Sequence, residues 1–325
     1  MNRPVIIYGA GFRGGRNFIA LAEENVHVEA FCDRDAEHIP LYYGCNVLTR
    51  DEAVEKYPSL PFLLSVDDEE ARRQIAEDLR TLGIEVYESF EEFFQGQNDY
   101  EIEHVYCGKA VGFQVVPSLL EGREHLTAYS FGIGFDYSFE LELAEKYGME
   151  VYAFDPSPEV VKEMESKKLP ENLRYYPYGL SDEDALKTFY LPSSGLDYSE
   201  HFAPWTSSEK IQMQVHRLST LMERFGHSRL DLLKMDVEGS EFMALPDILE
   251  SGLEFDQLCI ETHTRIFPDS VEKMRGVKKL LNDHGYLLVS NGRQEQTYIS
   301  KRAGRGGGYG TGTEDHKGNT ARIIT

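Results

Sequence analysis

At 325 residues the chain has room for two domains, each able to bury its own core. Its 56 Asp and Glu outweigh 33 Lys and Arg, leaving a formal charge of -23. A field of that sign repels nucleic acid and anionic membrane, so neither is expected as a partner, and the acidity is read as a feature of solubility or of adaptation to a salty medium. Cys32, Cys45, Cys107 and Cys259 lack the paired spacing of a zinc or dithiol centre and are expected as reduced thiols. The apolar run in "MNRPVIIYGAG" is too short for a signal peptide, and no later run approaches the ~20 apolar residues of a membrane helix. A soluble cytoplasmic protein is the expectation.

The first ninety residues alternate strand and helix. "VIIYGA" is an apolar strand ending in glycine, "GRNFIALAEE" has helical spacing, and "VHVEAFCD" is a strand ending in an acid. "RDEAVEKY" follows as a helix and "PFLLSV" as a strand. "DDEEARRQIAEDLRTLG" is a helix with acids in its first turn and glycine after its end, and "IEVYES" is a last strand. This alternation predicts a small, mostly parallel Rossmann-like domain. The polar stretch Gln95 to Asp99 marks the expected boundary, giving domains 1–97 and 98–301.

From Leu126 the alternation restarts with "LTAYSFGIG", the helix "YSFELELAEKYG", "MEVYAFDP", the helix "SPEVVKEMESKK" and "NLRYYPYGL". After a less regular middle come "LDLLKMDVEG", "FDQLCIETH", the helix "DSVEKMRGVKKLLNDHG", and the pair "YLLVSNG" and "EQTYISK" joined around Asn291 and Gly292. A parallel sheet closed by an antiparallel hairpin is the class I methyltransferase layout. The fold class expected is therefore α/β, two Rossmann-like domains, the second with that sheet. The glycine-rich tail 302–325 lacks pattern and is expected to be disordered; its Arg302-Ala-Gly and Arg305-Gly stretches are a minor argument for RNA contact.

Each domain carries a glycine turn. In the second, Gly132 and Gly134 allow a sharp turn, and Asp155 ends the next strand 21 residues after Gly134, where an acid accepts hydrogen bonds from ribose hydroxyls. A dinucleotide site would place a third glycine at position 137, but Tyr137 stands there beside Asp136. An acid at a helix start opposes pyrophosphate and suits S-adenosylmethionine, which presents an ammonium and a sulfonium. In the front domain Gly9, Gly11 and Gly14 complete G-x-G-x-x-G, Arg13 adds positive charge and Asp33 closes the next strand. That turn suits a nucleotide or nucleotide-sugar; a turn kept for strand-to-helix packing is the alternative.

The blocks "YSFGIGFDYSFE", "VYAFDPSP", "YYPYGLSD", "HRLSTLMERFGHSRLDLLKMDVEGSEF", "CIETH" and "GYLLVSNG" resemble, in order and spacing, FkbM-type S-adenosylmethionine-dependent methyltransferases over Val105 to Lys301. "LLKMDVEGSEF" is the most distinctive. The resemblance implies a cofactor site of Gly132, Gly134, Asp136, Asp155, Pro156, Gly179, Leu180 and Asp236, and an acceptor that is a hydroxyl of a sugar, glycan or polyketide-type metabolite. The front domain, with "FCDRD" followed by "YYGCNVLTRDEA", resembles the small Rossmann-like domains that accompany sugar-modifying enzymes.

An alcohol must lose its proton as it takes the methyl group, so carboxylates and histidines at strand ends are the catalytic candidates. Asp236 and Glu238 follow "LDLLKM", and Glu261 and His263 follow "FDQLCI"; alternating residues share a face, so each pair points one way. Asp236 is nominated as proton acceptor, with His263 the alternative and Glu238 beside them. The bland reading is that Glu238 to Glu241 merely starts a helix with acids at its positive end. A divalent metal on Asp236, Glu238 and Glu261 is a lesser reading, without fixed ligand spacing. Tyr190 to Lys210, which includes the single tryptophan Trp205, lacks periodicity and is expected as a loop, either substrate-binding or a plain insertion. Set against a methyltransferase are an NAD or nucleotide-sugar oxidoreductase run by the front domain, and a non-catalytic adaptor.

Overall fold

A computed structural model describes residues 3–23, 26–95, 98–192, 196–201, 206–263, 270–292 and 295–303. Trp205 and the tail from 304 onward, which carries the expectations of disorder and RNA contact, lie outside the described residues. The chain divides into two compact units, Met1–Gln97 and Asn98–Thr325.

The first unit runs β1 (Val5–Tyr8), α1 (Phe12–Glu23), β2 (Val28–Cys32), β3 (Leu41–Tyr42), β4 (Cys45–Leu48), α2 (Arg50–Lys56), β5 (Phe62–Leu64), α3 (Glu69–Thr81), β6 (Val86–Tyr87) and α4 (Phe90–Gln95). Its sheet has the order β3-β4-β2-β1-β5-β6 and is parallel except at the β3–β4 hairpin. β1 is buried on both faces, as central parallel strands require: Val5 and Ile7 enter one apolar cluster and Ile6 the other. Helix starts follow local chemistry. Thr49 and Glu52 form a reciprocal capping box before α2, and the Asp68 side chain accepts from Ala71 N at the start of α3.

The second unit opens with a hairpin, β7 (Val105–Gly108) and β8 (Gly112–Val115). It continues with β9 (Thr127–Phe131), α5 (Ser138–Lys146), β10 (Glu150–Phe154), α6 (Pro158–Glu165), β11 (Leu173–Tyr176), β12 (Gly179–Leu180), β13 (Ala185–Pro192), β14 (Thr206–His216) and α7 (Leu218–Phe225). β15 (Arg229–Met235), α8 (Glu241–Glu250), β16 (Glu254–Glu261), α9 (Ser270–Asp283), β17 (Tyr286–Asn291) and β18 (Glu295–Ser300) complete it. The main sheet has the order β11-β10-β9-β15-β16-β18-β17, parallel except for β18. β9 and β15, at its centre, alternate between the two cores: Tyr129, Phe131, Leu233 and Met235 pack on one side, Ala128 and Leu232 on the other.

Two sequence expectations are corrected here. The segment from Tyr190 to Lys210 is not loop throughout, because its ends extend β13 and β14, an antiparallel pair that joins β12 in a separate three-stranded sheet. One face of the pair is an apolar stripe of Ala185, Phe189, Leu191, Ile211, Met213 and Val215, but Lys187 and the polar run from Ser207 to Lys210 interrupt it and hid the period. "NLRYYPYGL" is likewise not one strand. β11 ends at Tyr176, Pro177 interrupts, and β12 belongs to the smaller sheet. No helix among the described residues is long and apolar enough to cross a membrane.

Candidate active site

The chain turns sharply after β9. Gly132 (φ 74°) and Gly134 (φ 55°) both occupy the left-handed region, where a side chain is disfavoured. A Cβ on Gly132 would stand 1.7 Å from the carbonyl oxygen of Asp236, so the glycine lets this turn lie directly against the end of β15. A Cβ on Gly134 would meet only Leu196, at 3.9 Å, which leaves the open side of the turn for a ligand. Asp155, 5% exposed after β10, accepts from Gly134 N (3.0 Å) and Ser157 N (2.9 Å). Burial pushes its pKa up against the pull of those bonds. Each carboxylate oxygen keeps a second lone pair, so the group that shapes the turn is also able to accept from ribose hydroxyls.

Asp136 has a structural duty. It accepts from Ala110 N (2.8 Å) and Val111 N (2.9 Å) in the β7–β8 turn, and from Ser138 N (3.1 Å) at the start of α5. Slight burial pushes its pKa up, but these donors outweigh it and hold the carboxyl below its usual range. Gly179 is buried because a Cβ there would press on Val215 (3.0 Å) and the Pro156 ring (3.4 Å). Leu180 is 2% exposed and its side chain belongs to the apolar core.

The polar ends of β15 and β16 do converge. His263 Nε2 lies 3.7 Å from Asp236 Oδ1, 3.4 Å from Glu238 Oε1 and 3.6 Å from Glu261 Oε1. His263 Nδ1 is 3.2 Å from Glu241 Oε1, which also accepts from His263 N at 2.7 Å, while Glu241 Oε2 accepts from Gly239 N at 2.8 Å. Burial opposes a charged His263, yet the Glu241 charge and the Glu238 and Glu241 contacts push its pKa well above 6.5. Burial and then the Asp236 charge push Glu261 up to about 8, and burial also raises Glu238. Glu238 has φ 49°, a strained value for a residue with a Cβ, and is followed by Gly239 at φ 102°.

Three buried charged residues have contacts that sequence reasoning missed. Lys234, 2% exposed within β15, donates to the Gly132 carbonyl and lies 3.4 Å from Asp236 Oδ2, linking glycine turn and cluster. Glu140 of α5 is 1% exposed and accepts from Ser130 Oγ at 2.5 Å. Glu241, fully buried, holds His263. The lysine inside "LDLLKM" was the available signal, since a charge in a central strand needs a partner.

The described part of the expected loop borders this cluster. Ser199 Oγ donates to the Glu238 carbonyl (2.7 Å), Ser240 Oγ donates to Glu200 (3.0 Å), and Tyr198 OH is 3.0 Å from Glu159 at the start of α6. A cavity of about 880 Å³ opens at the other end of β15 and β16, beside Arg123, Arg229 and Lys301, away from the glycine turn.

In the front unit, Asp33 accepts from Ala10 N (2.7 Å) and Asp35 N (3.0 Å), and Arg13 lies 3.6 Å from Asp67. Gly9 (φ 115°) faces the Ser65 carbonyl, and a Cβ on Gly14 would stand 1.9 Å from the Gly9 carbonyl oxygen. Packing alone therefore requires two of the three glycines. Gly11 has nothing within 4 Å of a Cβ position.

A sheet of this order, with a glycine turn after its first strand and an acid after its second, defines a class I S-adenosylmethionine-dependent methyltransferase domain. The methyltransferase FkbM domain model matches residues 124–288, just over half of the chain, and the chain belongs to that family. It is 30% identical over 138 residues to "Probable methyltransferase-like protein 24" of Homo sapiens, and equally to that of Rattus norvegicus. Those matches take in 42% of this chain and 32% of the relatives' length. Among solved structures, methyltransferase FkbM from Methylobacillus flagellatus KT aligns over 92% of this chain and 90% of its own, at 15% identity and TM-score 0.34. Haemonchus contortus phosphoethanolamine N-methyltransferase 2 with S-adenosyl-L-methionine aligns over 87% and 79%, at 9% identity and TM-score 0.25.

Proposed function

We propose that the chain transfers the methyl group of S-adenosylmethionine to a hydroxyl of a sugar, glycan or related metabolite. The observation that carries this reading is adjacency: the Gly132 turn lies against Asp236, so a proton-accepting cluster sits beside the place for the donor. Gly132, Gly134 and Asp155 would hold the donor, with Pro156 and the Gly179–Leu180 backbone along the next strand end and Asp136 shaping the turn from behind. Asp236 would take the hydroxyl proton while Glu238 and His263 orient the acceptor, because both nitrogens of His263 already face carboxylates. Residues 196–201 bound the acceptor side. The front unit serves as an accessory domain, whose Gly9, Gly11, Arg13, Gly14 and Asp33 form the candidate second nucleotide site.

The test is single-turnover transfer of a labelled methyl group to a panel of hydroxyl acceptors at saturating donor. Asp236→Asn should lose roughly 10²–10⁴ in rate with donor affinity retained, the scale of general base catalysis, and His263→Ala should lose less. A larger loss in His263→Ala, or transfer to amines in place of hydroxyls, would overturn the reading.

A further inference from the structure

The cluster at the ends of β15 and β16 has the geometry of a cation site. One oxygen each of Asp236 and Glu261 and a nitrogen of His263 all lie within 4.8 Å of one another. Two ligands bonded to one cation at about 2.1 Å are separated by about 3.0 Å when adjacent and about 4.2 Å when opposite. The 3.7 Å and 3.6 Å from His263 Nε2 to Asp236 and Glu261 fall inside that range and are long for hydrogen bonds.

A second observation concerns the imidazole itself. His263 is 2% exposed, and the fully buried Glu241 carboxylate holds its Nδ1 at 3.2 Å and its backbone N at 2.7 Å. A carboxylate on one ring nitrogen is the arrangement that fixes a metal-binding histidine, because it settles the tautomer and turns the other nitrogen's lone pair toward the metal. Here that other nitrogen points among Asp236, Glu238 and Glu261. Charge argues the same way. Four carboxylates surround one imidazole, with Lys234 against Asp236, and a divalent ion relieves repulsion that burial strengthens.

We propose that Asp236, Glu261 and His263 bind one divalent first-row cation of the Mn²⁺ or Zn²⁺ kind through one atom each, and that this ion takes the acceptor's hydroxyl oxygen as its exchangeable ligand while the second Asp236 oxygen takes the hydroxyl proton. One imidazole with two or three carboxylates suits those ions better than a soft thiophilic metal. The part played toward the acceptor rests on the hydroxyl-methylating reading above; the ion site does not.

The experiment separates the two. The full chain, stripped with EDTA and dialysed, is titrated with Mn²⁺ while the free ion's electron paramagnetic resonance signal is followed, without donor or acceptor. One Mn²⁺ per chain should bind and be displaced by Zn²⁺, and Glu261→Gln and His263→Gln should each weaken it at least tenfold. Glu261→Gln is isosteric at a partly exposed position, so circular dichroism can verify its fold if the His263 variant fails to fold. No Mn²⁺ or Zn²⁺ binding, or binding unchanged in Glu261→Gln, overturns the site. Stoichiometric binding with no hydroxyl methylated by the loaded chain upholds the ion site and removes the acceptor reading. Full-rate hydroxyl methylation by the stripped chain overturns the ion's part in holding the acceptor.

Discussion

Replacing Gly132 by alanine tests the contact on which the site depends. The new Cβ would stand 1.7 Å from the Asp236 carbonyl oxygen and 2.9 Å from its carbon. Neither backbone is free to retreat: Gly132 N donates to Phe154 O (2.8 Å), Asp236 N donates to Phe131 O (3.2 Å), and Lys234 donates to the Gly132 carbonyl. Relieving the overlap means breaking at least one of these buried bonds, about 1–3 kcal/mol each. The left-handed φ of 74° adds about 1 kcal/mol for any residue with a Cβ, so the total is about 2–4 kcal/mol. Gly134→Ala is the control. It incurs the same left-handed cost but finds open space beyond Leu196 at 3.9 Å, so about 1 kcal/mol is expected. Hydrogen exchange on the β9 and β15 peptides, with urea titration, measures both. If Gly132→Ala proves no more destabilising than Gly134→Ala, the close approach of the turn to β15 is wrong, and the adjacency argument for the active site falls with it.

Asp136→Asn should lose about 1 kcal/mol at neutral pH through its weakened backbone bonds, read by chemical denaturation across pH. Because the native carboxyl is held below its ordinary value, its contribution is present above the unfolded pKa near ~3.9 and lost as pH falls through the native one, so mutant and wild type should converge in acid; a gap that is constant with pH would refute this. In the front unit, Gly14→Ala should cost about 3 kcal/mol from its 1.9 Å overlap with Gly9, and Gly11→Ala less than about 1 kcal/mol, by hydrogen exchange in α1. Equal effects would refute the packing account of the third glycine.

Legibility in the sequence followed burial. The strands read correctly, such as "VIIY" and "LDLLKM", are buried on both faces and mostly apolar, and the sheet's position fixed where their polar ends must point. Asp236, Glu238, Glu261 and His263 were visible for that reason. Strands with an interrupted or short apolar pattern escaped: in β13 and β14 the alternating stripe of Phe189, Leu191, Ile211, Met213 and Val215 is broken by Lys187 and the polar run from Ser207 to Lys210, and the β3–β4 and β7–β8 hairpins are two and four residues per strand at their shortest and longest. The partners of the site residues were hidden for another reason. Glu241 reads as an ordinary first-turn acid, and only its zero exposure and its hold on His263 reveal a second duty. Asp136 was read toward a ligand because sequence spacing cannot show that the β7–β8 turn offers it two backbone donors.

The two glycine turns use one device, which is why the sequence alone left them rivals. In each, an aspartate after the second strand accepts from a backbone N–H of the turn: Asp33 from Ala10, Asp155 from Gly134. That device shapes a turn whether or not a ligand follows, so it does not distinguish scaffold from site. What differs is the neighbouring strand end. Beside the front turn, Gly9 meets Ser65, which accepts a hydrogen bond from Asn17, two neutral groups with no capacity to move a proton at neutral pH. Beside the second turn, Gly132 meets Asp236, and through it Lys234, His263, Glu238 and Glu261. Among the described residues this is also the group whose ligand atoms cluster closely enough for a metal. Methyl transfer to a hydroxyl, the reaction proposed above, calls for a proton-accepting or metal-held group within reach of the donor, and that is the argument for proposing the second turn even though the first carries the fuller glycine fingerprint.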